Sequence, residues 1–480
     1  YLQSYGEHKN ELKAEFKRIQ DKISKQQIKS GVADVNSRAF LISSWNPFSN
    51  EKVDWFDPSW MYGIKDFDIV IANPPYKVIG ASDHLLELYK SNYKVTIGGK
   101  VNLYKLFFEK GLSLLNHNGV LCYITPSNYL TSGDSYSLRE LLLKESSIKE
   151  IIDYEESDKV FKSVTQAVAT IVTEKVKTKT NLFNYLKHKE SYSISLDDVL
   201  KDEKLFIKGL NTTISKIRKS DRTFDEYIYG FQGEINVSTK KEYFSEKQVK
   251  DSLPLVRGNN IGLWALISKP IEYCPINVSN RNHHKLYRIV FQEVSNSGLQ
   301  RRLKGVILSN VLCGHTTNYI FSKSEKIPLK YLLALFNSKL FNYYFKFYNQ
   351  TNHIPIGEIK SIPVPSLEKI NHFPFVNLVD YILELKEIGD ENSINNFAPN
   401  NHIIQLFEEV IDALVYELYF EEDFKKTGIE FMKYAQRDFE SIEGKSEAEA
   451  IKFIHNAYQK LREKDNEIRN NLMLMDIKLA

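Results

Sequence analysis

Cysteine is scarce. The chain has three, Cys122, Cys274 and Cys313, far apart and in no CxxC pair. That gives no support for a metal site, and reads as reduced thiols in a cytoplasmic protein. Long apolar runs are absent, and none approaches the roughly 20 residues that span a bilayer. The opening Tyr1-Leu2-Gln3 runs into charge and does not read as a signal peptide. Histidines adjoin at one place, His283-His284. Adjacent residues rarely share a metal, so the pair reads as surface. Glycine is sparse before residue 67: Gly6, Gly31 and Gly63 are all there is, with no GxG. No internal repeat or low-complexity segment occurs.

What remains is a soluble globular composition, 42% hydrophobic, 26% charged and 12% aromatic. A length of 480 residues predicts about two to four domains and a large core. The formal charge of +3 conceals a split: residues 1–204 carry +1, residues 205–370 carry +12 and residues 371–480 carry −10. The middle segment suits a phosphate-facing surface. The acidic one suits packing on the protein or facing solvent.

Residues 7–30 place Leu12, Phe16, Ile19 and Ile23 at helical spacing in a charged stretch. Strands are predicted over 67–72, 119–125, 148–154 and 166–174, and helices over 102–115 and 137–144. This alternation predicts a parallel, doubly wound α/β sheet. Residues 205–370 read as α+β. Residues 371–480 read as helical, with 403–419 strongly amphipathic.

The apolar run Phe67–Ala72 is predicted to be a buried strand that ends at Asn73-Pro74-Pro75-Tyr76. Two prolines fix the backbone and remove two N–H donors, leaving carbonyl oxygens free to accept. Asn73 adds a side-chain acceptor and Tyr76 an aromatic face. Such a set can hold an exocyclic amine and clamp its ring. A stiff surface turn at a strand end would use the same residues.

Four ordered blocks decide between these. After 67–76 come Asn102–Lys110 (NLYKLFFEK), Asn118–Pro126 (NGVLCYITP) followed by Tyr129-Leu130, and Val160–Thr165 (VFKSVT) leading into AVATIV. Together they resemble the catalytic region of TaqI-like, adenine-specific DNA methyltransferases. The resemblance implies the C-terminal half of a class I (Rossmann-like) methyltransferase sheet over 45–204, with S-adenosylmethionine as cofactor and double-stranded DNA as partner. It implies that Asn73 and the Pro74 carbonyl accept from the target amine, with Pro75 completing the catalytic turn. Tyr76 and Phe161 would stack on a flipped adenine, and Phe107, Asn73 and Pro75 would contact the cofactor. An aromatic amine is a poor nucleophile. Two acceptors holding its N–H bonds pyramidal aim the lone pair at the sulfonium methyl, so positioning and electrostatics supply most of the rate. The base must first leave the duplex.

The family's glycine-rich cofactor turn would precede Asn73, where no GxG occurs. Asp57 reads better as a turn residue before Pro58 than as a cofactor contact. The charged spacer over 1–44, Trp45–Phe48 and Asp54–Met61 resemble the stretch before the methylase in type IIG restriction–modification enzymes. The chain therefore reads as the C-terminal part of such an enzyme, with nuclease and cofactor-binding portions elsewhere in the same protein or in a partner.

Leu253–Ile261 (LPLVRGNNI), Arg288–Glu293 and Leu333–Leu340 are similar to target-recognition blocks of the same family. This assigns 205–370 to DNA recognition and 371–480 to a helical region. Arg257, Arg301, Arg302, Lys304, Lys339 and Lys346 are the candidate DNA contacts, with Asn318 and Asn349–Asn352 as weaker ones. Two rival readings stay open: a DNA-specificity subunit without catalysis, and a methyltransferase acting on RNA or a protein amide.

Overall fold

The computed structural model describes residues 6–31, 37, 40, 63, 65–98, 100–154, 160–161, 167–176, 179–187, 190–201, 205–208, 212–220, 222–349, 351–395 and 398–478. A solvated helix, α1 (Gly6–Lys29), comes first.

Residues 67–195 contain one six-stranded sheet. Its strands are β1 (Phe67–Ala72), β2 (Leu115–Pro126), β3 (Ser147–Tyr154), β4 (Val168–Glu174), β5 (Leu182–Lys187) and β6 (Glu190–Ser195). They lie in the order β1-β2-β4-β3-β5-β6. β1 runs parallel to β2, and β3 parallel to β5, but β4 is antiparallel to both β2 and β3. The sheet is therefore mixed, not parallel as predicted. β4 returns between β2 and β3, and along all three strands fully buried residues alternate with half-buried ones. β5 and β6, absent from the sequence reading, extend the sheet.

Four helices accompany it: α2 (Leu86–Asn92), α3 (Leu103–Leu114), α4 (Tyr136–Glu145) and α5 (Leu196–Lys201), and α6 (Thr212–Ile217) follows them in the chain. α3 buries Tyr104, Leu106, Phe108 and Leu112. It lies so close to β2 that a Cβ at Gly111 would sit 2.8 Å from the Leu121 side chain. Only a residue without a side chain allows that approach. Asn118 turns at φ 69°, a conformation asparagine tolerates.

β1 departs from its prediction as a buried strand. Among the described residues it pairs only with β2, and Ile69 and Ile71 are 66% and 75% exposed. Among the described residues it is an open sheet edge with an apolar face.

Residues 205–370 hold a four-stranded antiparallel sheet of β7 (Ile228–Gln232), β8 (Arg288–Gln292), β9 (Gly305–Leu308) and β10 (Thr317–Ser322), in the order β9-β8-β10-β7. One face packs on α7 (Leu329–Asn337) and α8 (Lys339–Tyr348), which a short helix α9 (Ile356–Lys360) follows. The acidic end of the chain supplies α10 (Phe373–Ile388), α11 (Asn400–Tyr419) and further helices. A single apolar cluster runs from Ile214 to Ile468, so the recognition sheet and the C-terminal helices share one core. Across this junction Lys330, Lys339 and Arg301 pair with Asp380, Asp412 and Glu408 at 2.5, 3.3 and 3.7 Å. The acidic helices thus neutralise part of the basic segment. Burial pushes the thiols of Cys274 and Cys313 up to about 11 and about 12, so both are core residues rather than nucleophiles.

Candidate active site

The site starts where β1 stops. Ala72 is the last residue in register with β2, opposite Tyr123. Pro74 and Pro75 have no N–H to continue the ladder. Beyond them the chain is pinned again: Ile79 N–H donates to Val101 O at 2.8 Å, and Leu103 N–H donates to Lys77 O at 2.9 Å. The four residues Asn73–Tyr76 are thus held from both ends, by the sheet and by the start of α3.

Within this turn Asn73 is exposed, Pro74 buried, Pro75 exposed and Tyr76 half-buried. Tyr76 Oη donates to Ile124 O at 3.3 Å, which fixes the ring against β2. Burial raises its phenol above the ordinary value, so it stays a neutral aromatic surface. Hydrogen bonds to the Asn73 carboxamide from other described residues are absent, so its acceptor is available. Phe107 on α3 is 41% exposed although its neighbours Leu106 and Phe108 are buried. Its backbone carbonyl accepts from Tyr123 Oη at 3.3 Å, so helix and strand hold it in place. Phe161 is half-buried. Asp57, the Trp45 and Trp55 blocks, Lys162–Thr165 and Gln350 lie outside the described residues.

A flat apolar ring such as a cofactor adenine fits an exposed Phe107. No described residue forms a glycine-rich turn to cradle the rest of that cofactor.

The predicted DNA contacts divide. Lys304 and Lys346 are half-buried. Arg257 pairs with Glu272, both partly exposed. Arg301 and Lys339 pair with the C-terminal helix α11 as described. Arg302 is a different case, because it is 1% exposed. Its guanidinium donates to the carbonyls of Asn349 at 3.0 Å and Thr351 at 2.5 Å. Burial lowers its pKa to about 10. Arg302 therefore holds the 349–353 loop and presents no charge to solvent, which corrects its prediction as a DNA contact. Asn318 is also buried and donates to Ile354 O at 2.7 Å, and Asn349 is buried among the Arg302 partners. The histidine pair is not surface either. His284 is buried, and His283 packs 4.8 Å from the Phe231 ring.

Sequence reading missed how the two segments are joined. Lys208 and Asp153 are each 1% exposed and lie 3.8 Å apart. Lys208 Nζ donates to Phe347 O on α8 at 2.5 Å, and Tyr185 Oη donates to Asp153. Thr131 Oγ1 donates to Tyr348 O at 2.8 Å. Asp153 ends the apolar run of β3, but nothing in that run marks a partner 55 positions on.

Residues 2–161 match the family model of the Eco57I restriction-modification methylases. The Type II methyltransferase M.TthHB8I of Thermus thermophilus is 33% identical over 105 residues, 18% of this chain and 24% of the relative. A putative type II restriction enzyme and methyltransferase, RM.MjaORFECS2P of Methanocaldococcus jannaschii, is 24% identical over 403 residues, 76% of this chain and 32% of the relative. The chain thus spans about a quarter to a third of the length of these relatives. A solved type IIL restriction-modification enzyme, MmeI in complex with DNA, superposes with a TM-score of 0.49 at 10% identity, over 82% of this chain and 57% of that one. Among the described residues no helix is long and apolar enough to cross a membrane.

Proposed function

We propose that this chain carries the target-base half of a DNA methyltransferase of restriction–modification type, acting on the exocyclic amine of a flipped adenine. The observation that carries the proposal is the Asn73–Tyr76 turn: an available carboxamide on Asn73, a donor-free diproline and a ring fixed by Ile124, all at the end of β1. The family match over residues 2–161 supports it independently.

In this reading S-adenosylmethionine, when bound, supplies an electrophilic methyl group, and Phe107 holds the adenine of that cofactor. Asn73 Oδ1 and the Pro74 carbonyl accept the two N–H bonds of the target amine. Pro75 keeps both acceptors in place. Tyr76 and Phe161 sandwich the extruded base, which orients it and excludes water from the amine. The proton becomes acidic only after transfer, so no strong base is needed beforehand. Residues 205–370 contact the duplex, with Arg257, Arg301, Lys304, Lys339 and Lys346 at phosphates or base edges. The test is transfer of labelled methyl to duplex DNA by the full-length protein. Asn73→Ala is expected to lower the rate by about 10²-fold or more, the scale for losing one preorganised acceptor or donor, while DNA affinity stays within about twofold. Unchanged methylation in that variant sinks the assignment.

A second reading is favoured by the open β1 edge. Leaving Ile69 and Ile71 in water forgoes roughly 1.5–3 kcal/mol each relative to full burial, and an uncovered apolar edge is a template for another strand. Here the catalytic turn works only when a segment carrying the cofactor-binding half pairs with β1. This chain alone would then bind DNA without transferring methyl, and adding the complementary half would restore transfer. Full activity of this chain by itself would refute it.

A further inference from the structure

Beside the Asn73–Tyr76 turn lies a second concavity. A cleft of about 740 Å³ opens between the methylase sheet and the recognition helices. That lies within the roughly 300–1,000 Å³ of sites that enclose a small-molecule-sized group. One wall is the start of α3 and the turn over 128–134, and the other is α8 with the loop leading to α9. Val78, two residues beyond Tyr76, lines it, but Asn73, Tyr76, Phe107 and Phe161 do not. The cleft is therefore adjacent to the target-amine site and distinct from it.

Its chemistry is specific. Phe206, Tyr344 and Tyr348 form an aromatic wall, with the Phe206 and Tyr348 rings 4.9 Å apart and those of Tyr344 and Tyr348 4.8 Å apart. Asn102 Oδ1 is buried with no hydrogen-bond partner among the described residues. Asn128 Oδ1 accepts from Tyr104 Oη at 3.1 Å, which turns the carboxamide so that its N–H groups remain to donate. Asn102 and Asn128 thus offer an acceptor and a donor in one cleft. The charges within it largely cancel: Lys105 donates to Asp134 O at 2.7 Å and lies 3.7 Å from the Asp134 carboxylate. Lys100 adds an exposed cation, and Glu358 adds a carboxylate that accepts from Asn349 Nδ2 at 2.6 Å. A ligand that suits this set has a flat face, an edge with both donor and acceptor, and an anionic tail.

We propose that the cleft receives a second nucleotide of the bound DNA, unstacked from the duplex next to the methylation target. Its base lies against Phe206, Tyr344 and Tyr348, its edge meets Asn102 and Asn128, and its phosphate faces Lys100. The wall rigid enough to receive it is already in place: Arg139 is fully buried, donates to Tyr129 O and Ser132 O at 2.7 Å each, and packs 5.3 Å from the Phe206 ring. This inference rests on the DNA reading of the previous section.

The test is fluorescence anisotropy of the full chain with a short labelled duplex and with the same duplex carrying one unpaired, bulged nucleotide. The bulged duplex is expected to bind about tenfold tighter, because its nucleotide is unstacked in advance and one base–aromatic stack supplies that order of affinity. Phe206→Ala and Asn128→Ala should each remove most of the preference, weakening bulged-duplex binding more than intact-duplex binding. Two variants on separate elements keep the test valid if one misfolds. Equal affinity for both duplexes overturns the proposal and leaves the DNA reading standing. So does a preference that Asn73→Ala or Tyr76→Ala abolishes but Phe206→Ala and Asn128→Ala do not, since the bulged nucleotide then occupies the amine site. Failure to bind either duplex overturns the DNA reading and this inference with it.

Discussion

The methylase sheet and the recognition–helical body close their cores differently. The body buries one continuous cluster from Ile214 to Ile468 and neutralises part of its charge across the junction. The sheet ends in β1, whose second edge has no strand among the described residues and whose isoleucines face outward. The candidate amine site sits on that open strand. In the proposed reading, the body that closes its own core is the part that would meet DNA, and the amine site lies on the sheet edge that no described strand covers.

The sharpest break of this comparison is at the seam. Lys208 is buried against Asp153 and caps Phe347 O. Lys208→Met leaves a buried carboxylate without its cation, and the expected loss is about 3–5 kcal/mol, read from chemical denaturation. A loss below about 1 kcal/mol would mean that sheet and body are not locked together there. Next is Arg302→Met, which strands the carbonyls of Asn349 and Thr351. At roughly 1–3 kcal/mol per unsatisfied buried group, stability should fall while the salt dependence of DNA binding stays as it was.

Lys304→Ala is the opposite case. It should leave stability within about 0.5 kcal/mol, weaken DNA binding uniformly across sequences and reduce the salt slope by about 1. A variant with an unchanged slope would remove Lys304 from the interface. The smallest effect is expected at the open edge. Ile71→Thr should change stability by no more than about 0.5 kcal/mol, whereas an equivalent change at Ile289 or Ile320, both fully buried, should cost several times more. A large loss at Ile71 would show that β1 is already covered in this chain.

The residues that declared themselves in the sequence were those with local signals. Pro74-Pro75 ends β1, the apolar spacing of 103–114 gives α3, and the runs 119–125 and 148–154 give two central strands. β5 and β6 escaped because each is only six residues long and their pairing, β5 with β3 and β6 with β5, is set by contacts across the sheet, even though residues 191–195 alternate polar and apolar. The mixed strand direction escaped for a related reason: an apolar run has no polarity of its own. Arg302 was misread because charge predicts exposure on average, and the backbone carbonyls that hold it leave no trace in composition. The cleft beside the turn combines Asn102, Asn128, Phe206 and Tyr348, residues from four separate stretches that only folding brings together. Asn73 and Tyr76 could be singled out as candidates because one short turn contains them.

The most direct test is the identity of the methylated product. Full-length protein, duplex DNA and S-adenosylmethionine with a labelled methyl group would be incubated, and the DNA digested to nucleosides. The label is expected on N6-methyldeoxyadenosine and should be lost in Asn73→Ala, while that variant still binds DNA. Label on a cytosine derivative, or on adenine at an undiminished rate in Asn73→Ala, would contradict the role given to the turn at the end of β1.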